Sequence, residues 1–234
     1  MVLELSDVHT YYGSSHVLHG VSLGVEDGEV VCLLGRNGAG KTTTMRSIIG
    51  LTRAASGGIR FGGHDLTALP PHRIARLGVG FVPEDRRIYG DLTVEENLLV
   101  VARPGDGHTA AWTLERVYEL FPVLRRLARN KGQHMSGGEQ QMLTIARTLM
   151  GNPSALLLDE PSEGLAPIIV QRVGDLLRRL RDMGVTVLLA EQNMHFCLGI
   201  ATGATVIDKG QIVYCDTIER LRSNDDVKQR YLAL

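Results

Sequence analysis

The stretch VVCLLGRNGAGKTT, Val30 to Thr43, decides how the rest of this chain reads. VVCLL is dense in β-branched and aliphatic side chains with no polar alternation, the pattern of a strand buried on both faces. It runs directly into GRNGAGKTT, which fits the spacing G-x-x-x-x-G-K-[ST]. In such a loop, here Gly35, Arg36, Asn37, Gly38, Ala39 and Gly40, the glycines at 38 and 40 let backbone N–H groups curl around phosphate oxygens. Lys41 then reaches the β and γ oxygens, Thr42 offers a hydroxyl to Mg²⁺ with Thr43 beside it, and a following helix adds its positive end.

Working outward, VLELSDVHT and HVLHGVSLGV, separated by YYGSS and closed by EDGE, predict an antiparallel β layer ahead of this strand. Behind it, SALLLDE and VTVLLAE repeat the buried-strand pattern. Between them IIVQRVGDLLRRLRDMG places apolar residues 169, 173, 176, 177 and 180 on one helical face. Strands alternating with helices imply a mostly parallel sheet covered by helices. The segment 85–150 differs: ENLLVVA, AAWTLERVYELFPVLRRLA and HMSGGEQQML all read as helix with no strand between them. The expectation is an α/β core over 1–84 and 151–234, carrying the antiparallel layer, with 85–150 inserted as a helical subdomain. ATVIDKGQIVYCD predicts a hairpin turning at Lys209-Gly210, then short helices to Leu234.

Composition narrows the function classes. The 234 residues are 44% hydrophobic and 22% charged, enough for a full core, and the net charge of -1 gives no general attraction to nucleic acid or an anionic bilayer. Arginines at 125, 126 and 129 with Lys131, and at 172, 178, 179 and 181, lack interleaved aromatics and read as solvated helix faces. Three cysteines without metal-ligand spacing suit a reducing compartment. No apolar run approaches the ~18 residues of a spanning helix, and MVLELSDVHT lacks a signal-peptide pattern.

SALLLDE ends in Asp159-Glu160, at the edge of an open α/β sheet where ligands sit. Adjacent carboxylates there can divide labour, one orienting Mg²⁺ and the other taking a proton from attacking water, although two acids at a strand end also occur as solvated turn residues. In HMSGGEQQML, Ser136 reads as an N-cap, Gly137 and Gly138 as a bare first turn, and Glu139-Gln140 as the start of an amphipathic helix. This second anion-ready terminus has no lysine and no cation ligand of its own.

The phosphate loop, SGGEQQ and LLLDEP in this order closely resemble the ATP-binding subunits of ABC transporters, over essentially the whole chain. The resemblance implies a P-loop NTPase fold and two head-to-tail subunits sandwiching two ATP. Ser136 to Gln140 would then close over the nucleotide held by the partner's P-loop. It also implies that Tyr12 stacks on adenine, with Tyr11 as rival and a core tyrosine as the other reading. Lys41 and Glu160 would serve hydrolysis, Glu160 as general base. Thr42, Asp159 and Glu84 would face Mg²⁺, and the loop Glu84 to Tyr89 would touch permease subunits.

Three positions depart from the family pattern. Glu84 stands where most members have glutamine, Gln192 where most have a γ-phosphate-contacting histidine, and Ala166 where an aspartate is usual. The combination VPEDRR, TVEENL, MSGGEQQML, EPSEGLAPIIV and AEQN is similar to the second ATPase subunit of branched-chain amino acid importers, a group that includes urea and amide systems. There these departures recur together. The resemblance implies a peripheral ATPase on the cytoplasmic face of the membrane, pairing with an identical or different ATPase and with permease subunits, and indirectly with a periplasmic binding protein. A soluble ATPase of translation or DNA repair fits less well, because there is one cassette and no long heptad insertion; a P-loop kinase would have no use for SGGEQQ.

Overall fold

The computed structural model describes residues 1–104 and 111–232. β1 (Leu3–Tyr12) and β2 (Ser15–Val25) form the expected hairpin. Leu3, Leu5, Val8 and Thr10 point inward, and the parity change between Leu5 and Val8 occurs at a bulge where Asp7 adopts φ 51°. β3 (Val30–Leu34) leads through the phosphate loop into α1 (Lys41–Ile48), followed by β4 (Ala54–Phe61), β5 (His64–Asp65), α2 (Pro71–Arg76) and β6 (Val79–Val82). Next come α3 (Val94–Leu99), α4 (Leu114–Leu120), α5 (Pro122–Arg126) and α6 (Gly137–Met150). The remainder is β7 (Ala155–Asp159), α7 (Pro167–Asp182), β8 (Thr186–Glu191), α8 (Met194–Leu198), β9 (Gly203–Asp208), β10 (Gln211–Thr217), α9 (Ile218–Ser223) and α10 (Asp225–Val227).

Two sheets result. The antiparallel one has order β2-β1-β4-β5, and the six-stranded one has order β10-β9-β3-β8-β7-β6, parallel except for the β9-β10 hairpin. The strand period of two sends alternate residues to opposite faces. Val30, Cys32 and Leu34 join Leu156 and Leu158 in a core shared with α3 to α7, while Val31 and Leu33 join Leu157, Met45 and Ile48 against the antiparallel sheet. Burying one such leucine contributes about 1.5–3 kcal/mol, so the central sheet is anchored from both sides.

The structure corrects several sequence expectations. β4, β5 and β6 arise from stretches given no assignment. AAWTLERVYELFPVLRRLA is not one helix: its first residue, Ala110, lies outside the described residues. α4 starts at Leu114 behind Thr113, whose hydroxyl accepts from the Arg116 N–H at 3.3 Å. The run breaks at Phe121 because Pro122 has no N–H and disfavours a helical residue before it. ENLLVVA is helical only to Leu99. At the far end, Lys209 (φ 46°) and Gly210 (φ 77°) make the predicted two-residue turn, in which both residues need positive φ. The short helices follow to Leu232, Ala233 and Leu234 lying outside the described residues.

Candidate active site

The carboxyl ends of β3, β7 and β8 bring the sequence-predicted groups together. The phosphate loop leaves β3 with Gly35 pressed on the neighbouring strand: a β-carbon there would stand 2.4 Å from the Ile207 carbonyl oxygen. Gly38 (φ 78°) and Gly40 (φ 116°) hold the left-handed backbone that wraps the loop, and Gly40 is the N-cap of α1. The loop is tied down from behind, since the Gly210 N–H donates to the Ala39 carbonyl and the His19 N–H to the Gly210 carbonyl, both at 2.8 Å. Arg36, Asn37 and Gly38 face solvent, whereas Gly35, Ala39, Gly40 and Thr43 are buried.

Lys41 is 3% exposed and donates to the Gly35 carbonyl at 2.7 Å and the Arg36 carbonyl at 3.1 Å; its ammonium also pairs with Glu160 Oε1 at 3.0 Å. Glu160 reaches it because its own backbone turns left-handed (φ 48°) directly after β7, with its N–H donating to the Ala190 carbonyl at 3.0 Å. Burial alone would raise the Glu160 carboxyl, but a hydrogen bond from Glu163 and the Lys41 charge hold it below its ordinary range. The same bond to Glu160, then burial, pushes Glu163 up to about 7.

Thr42 Oγ1 donates to Asp159 Oδ1 at 3.1 Å, and the two line a cleft with Glu84 beside the loop. Burial, with the neighbouring Glu160 and Glu84 charges, pushes Asp159 up to about 6. An all-oxygen donor set with a buried carboxylate and too little positive charge is what a hard divalent cation compensates, so the residues fit Mg²⁺. Glu191, which the sequence reading did not single out, is buried at the end of β8 and accepts the Ser162 N–H at 3.1 Å; burial raises its pKa. Its only sequence signal was an acid closing an otherwise apolar strand. Gln192 follows it, exposed, its amide held by no hydrogen bond among the described residues.

The two tyrosines are both partly exposed and make different contacts. Tyr11 stacks on His16 with ring centroids 4.1 Å apart. The Tyr12 hydroxyl lies 3.3 Å from Thr52 Oγ1. Burial works to raise its pKa, but bonds to Thr52 and Thr43 and the Arg46 charge lower it.

Ser136 to Gln140 lie elsewhere, on the helical region, and no hydrogen bond or ion pair joins them to the phosphate loop among the described residues. Ser136 caps α6 in a closed capping box: its Oγ accepts from the Glu139 N–H at 3.4 Å, and Glu139 Oε2 accepts from the Ser136 N–H and hydroxyl, each at 2.8 Å. Gln140 donates to the Gly132 and Met135 carbonyls at 3.4 and 3.3 Å. Gly138 is required by packing, a β-carbon there falling 2.6 Å from Ile169 of α7.

A family profile described as ABC transporter matches residues 18–163. The chain belongs to the ABC transporter family. It is 46% identical over 231 residues to the high-affinity branched-chain amino acid transport ATP-binding protein BraG of Pseudomonas aeruginosa, covering 99% of both chains. It is 36% identical to the lipopolysaccharide export system ATP-binding protein LptB of Haemophilus influenzae, over 99% of this chain and 97% of that one. The fold is similar to the ADP conformation of MJ1267, an ATP-binding cassette of an ABC transporter (TM-score 0.81, 26% identity, 97% of each chain covered). In this ABC family member no helix among the described residues is long and apolar enough to cross a membrane.

Proposed function

We propose that the chain binds and hydrolyses ATP as the cassette subunit of an importer for branched-chain or other hydrophobic amino acids. The observation that carries the chemistry is the convergence of Lys41, Thr42, Asp159 and Glu160 on one sheet edge, while the capped α6 terminus stands apart. Similarity to BraG along the full chain supports the solute class. Two such subunits sit head to tail, so that the terminus at Ser136 covers the nucleotide of the opposite P-loop. The segment 85–150 acts as the lobe that carries it, and Glu84 to Tyr89 meets permease subunits at the cytoplasmic face.

Tyr12 provides a platform for adenine, and the loop Gly35 to Thr43 holds the phosphates. Lys41 exchanges its bonds to the Gly35 and Arg36 carbonyls for phosphate oxygens. Glu160 takes a proton from water as the water oxygen bonds phosphorus and the bond to ADP breaks; its lowered pKa keeps it ionised for this at neutral pH. Gln192 and the partner's Ser136 stabilise charge on the transferred group. Thr42, Asp159 and Glu84 would hold Mg²⁺, which supplies charge neutralisation at the phosphate oxygens.

Glu160→Gln tests the central assignment. Turnover should fall about 10²–10⁴-fold while ATP binding persists and an ATP-held dimer accumulates. Turnover unchanged in that variant would place the base elsewhere. Uptake of labelled leucine and labelled urea in cells with and without the chain separates the solute classes.

A further inference from the structure

Arg86 is a cationic side chain close to the α6 terminus that the chemistry above leaves unused. Among the described residues its guanidinium makes no hydrogen bond and no ion pair, although the side chain is half-buried. It lies along α6 against the first turn: a β-carbon on Gly137 would stand 2.8 Å from Arg86 Nη1. The glycine at this position therefore leaves room for the guanidinium to rest on the helix backbone. The backbone beneath it is fixed. Arg86 (φ 61°) and Arg87 (φ 45°) are consecutive left-handed residues, a conformation that persists only where the surroundings enforce it. Thr144 Oγ1 donates to the Arg86 carbonyl at 2.9 Å and Arg147 Nη2 to the Arg87 carbonyl at 2.7 Å, both from α6. From α3, Asn97 Nδ2 donates to the Tyr89 carbonyl at 2.9 Å and Oδ1 accepts from Arg147 Nη1 at 3.3 Å, so the loop, α3 and α6 form one clasped unit.

The turn's own carboxylate, Glu139, is held by the Ser136 N–H and hydroxyl and makes no hydrogen bond or ion pair with Arg86 among the described residues. The Arg86 guanidinium and the Gly137 N–H are therefore neighbouring donors with no protein acceptor among the described residues, an arrangement that an anion completes. We propose that Arg86 is a phosphate-contacting residue of the interfacial site, adding a charged donor to the terminus that closes over the partner's nucleoside triphosphate. This rests on the head-to-tail reading of Ser136. Because Arg86 belongs to the loop proposed to meet the permease, the same side chain makes closure sensitive to that loop's position.

The test uses the full chain in the Glu160→Gln background, with dimerisation measured by analytical ultracentrifugation across protein and ATP concentrations. Arg86→Ala should weaken ATP-driven dimerisation about tenfold or more, the scale of one charge-assisted hydrogen bond, and Arg86→Lys should recover part of it. The melting temperature should stay within a degree or two of the parent. A dimer constant unchanged in Arg86→Ala, with Ser136→Arg abolishing dimerisation, overturns the inference alone. A dimer intact in Ser136→Arg, or no dimer in the background at any concentration, overturns the head-to-tail reading and the inference with it. Loss of dimer together with a large fall in melting temperature in both Arg86 variants makes the residue structural and also overturns the inference.

Discussion

The N-termini of α1 and α6 are both suited to anions, and they differ in what holds them before an anion arrives. At α1 the lysine is inside the protein, bonded to two carbonyls of its own loop and to a glutamate just past β7. At α6 the carboxylate comes from the turn itself, through Glu139, with Arg86 against Gly137 and Ile169 against Gly138. The first terminus is an extension of the core, completed by β7, β8 and the β9-β10 turn. The second is complete only as a helix end. The difference teaches that one anion site is built in cis, while the other has no cis partner at the phosphate loop among the described residues, as the proposed head-to-tail pairing requires.

The sharpest way to break this comparison is to damage each end separately. Ser136→Arg should reduce turnover about 10²–10³-fold, as loss of a transition-state donor does, with little change in ATP affinity measured by calorimetry. Lys41→Ala should also stop turnover but weaken ATP binding about ten- to a hundredfold. Mixed together, the two dead variants should regain partial activity, because a mixed dimer has one site lacking both elements and one intact. If Ser136→Arg lost ATP affinity as severely as Lys41→Ala, the two ends would serve one nucleotide and the contrast would fail.

A smaller effect sharpens the electrostatics of the cradle. Asp159 is buried with its pKa raised to about 6, so its share of stability is present below its unfolded value near 4 and is lost as pH rises through about 6. Without Mg²⁺, Asp159→Asn should therefore stabilise the protein at pH 7.5 by about 1–3 kcal/mol, and by much less at pH 5. Denaturant melts in a chelator at both pH values measure this; a difference independent of pH would show that the carboxylate is not strained by burial.

The smallest expected change is at Gln192, which is exposed, makes no hydrogen bond among the described residues and stands where an imidazole is more common. Gln192→Ala should lower the solitary ATPase rate about two- to tenfold, and Gln192→His should raise it. Steady-state hydrolysis by the chain alone and with a candidate partner ATPase gives the comparison. A solitary rate equal to that of the assembled transporter, indifferent to Gln192→Ala, would remove this residue from the reaction.

Much of the cradle was legible because its constraints are local. VVCLL announces burial on both faces, and Gly35, Gly38, Gly40 and Lys41 stand at fixed spacing. What escaped was set by distant contacts. Val79–Val82 is too short, and split by Gly80, to show strand character alone; it becomes β6 by pairing with β7. In Ala54–Phe61 the pair Gly57-Gly58 interrupts the alternation that marks a strand. No pattern in the sequence shows that Tyr12 neighbours Thr52 and Arg46 while Tyr11 stacks on His16. Glu163 and Glu191 matter through the acids they face, which sequence spacing does not reveal.

The Lys209-Gly210 turn has a practical consequence for protein engineering. A hairpin tip between two strands is the usual place to insert a fluorophore-bearing peptide or an affinity tag. Here the tip is stitched to both the phosphate loop and the β1-β2 hairpin, and a β-carbon on Gly210 would stand 1.9 Å from the Val17 carbonyl oxygen. An insertion at that point would pull on Ala39 and silence the protein without touching a single ligand-facing side chain. The turn at Gly62 and Gly63, where added β-carbons meet nothing within 4 Å, is the place for a label that leaves the cassette working.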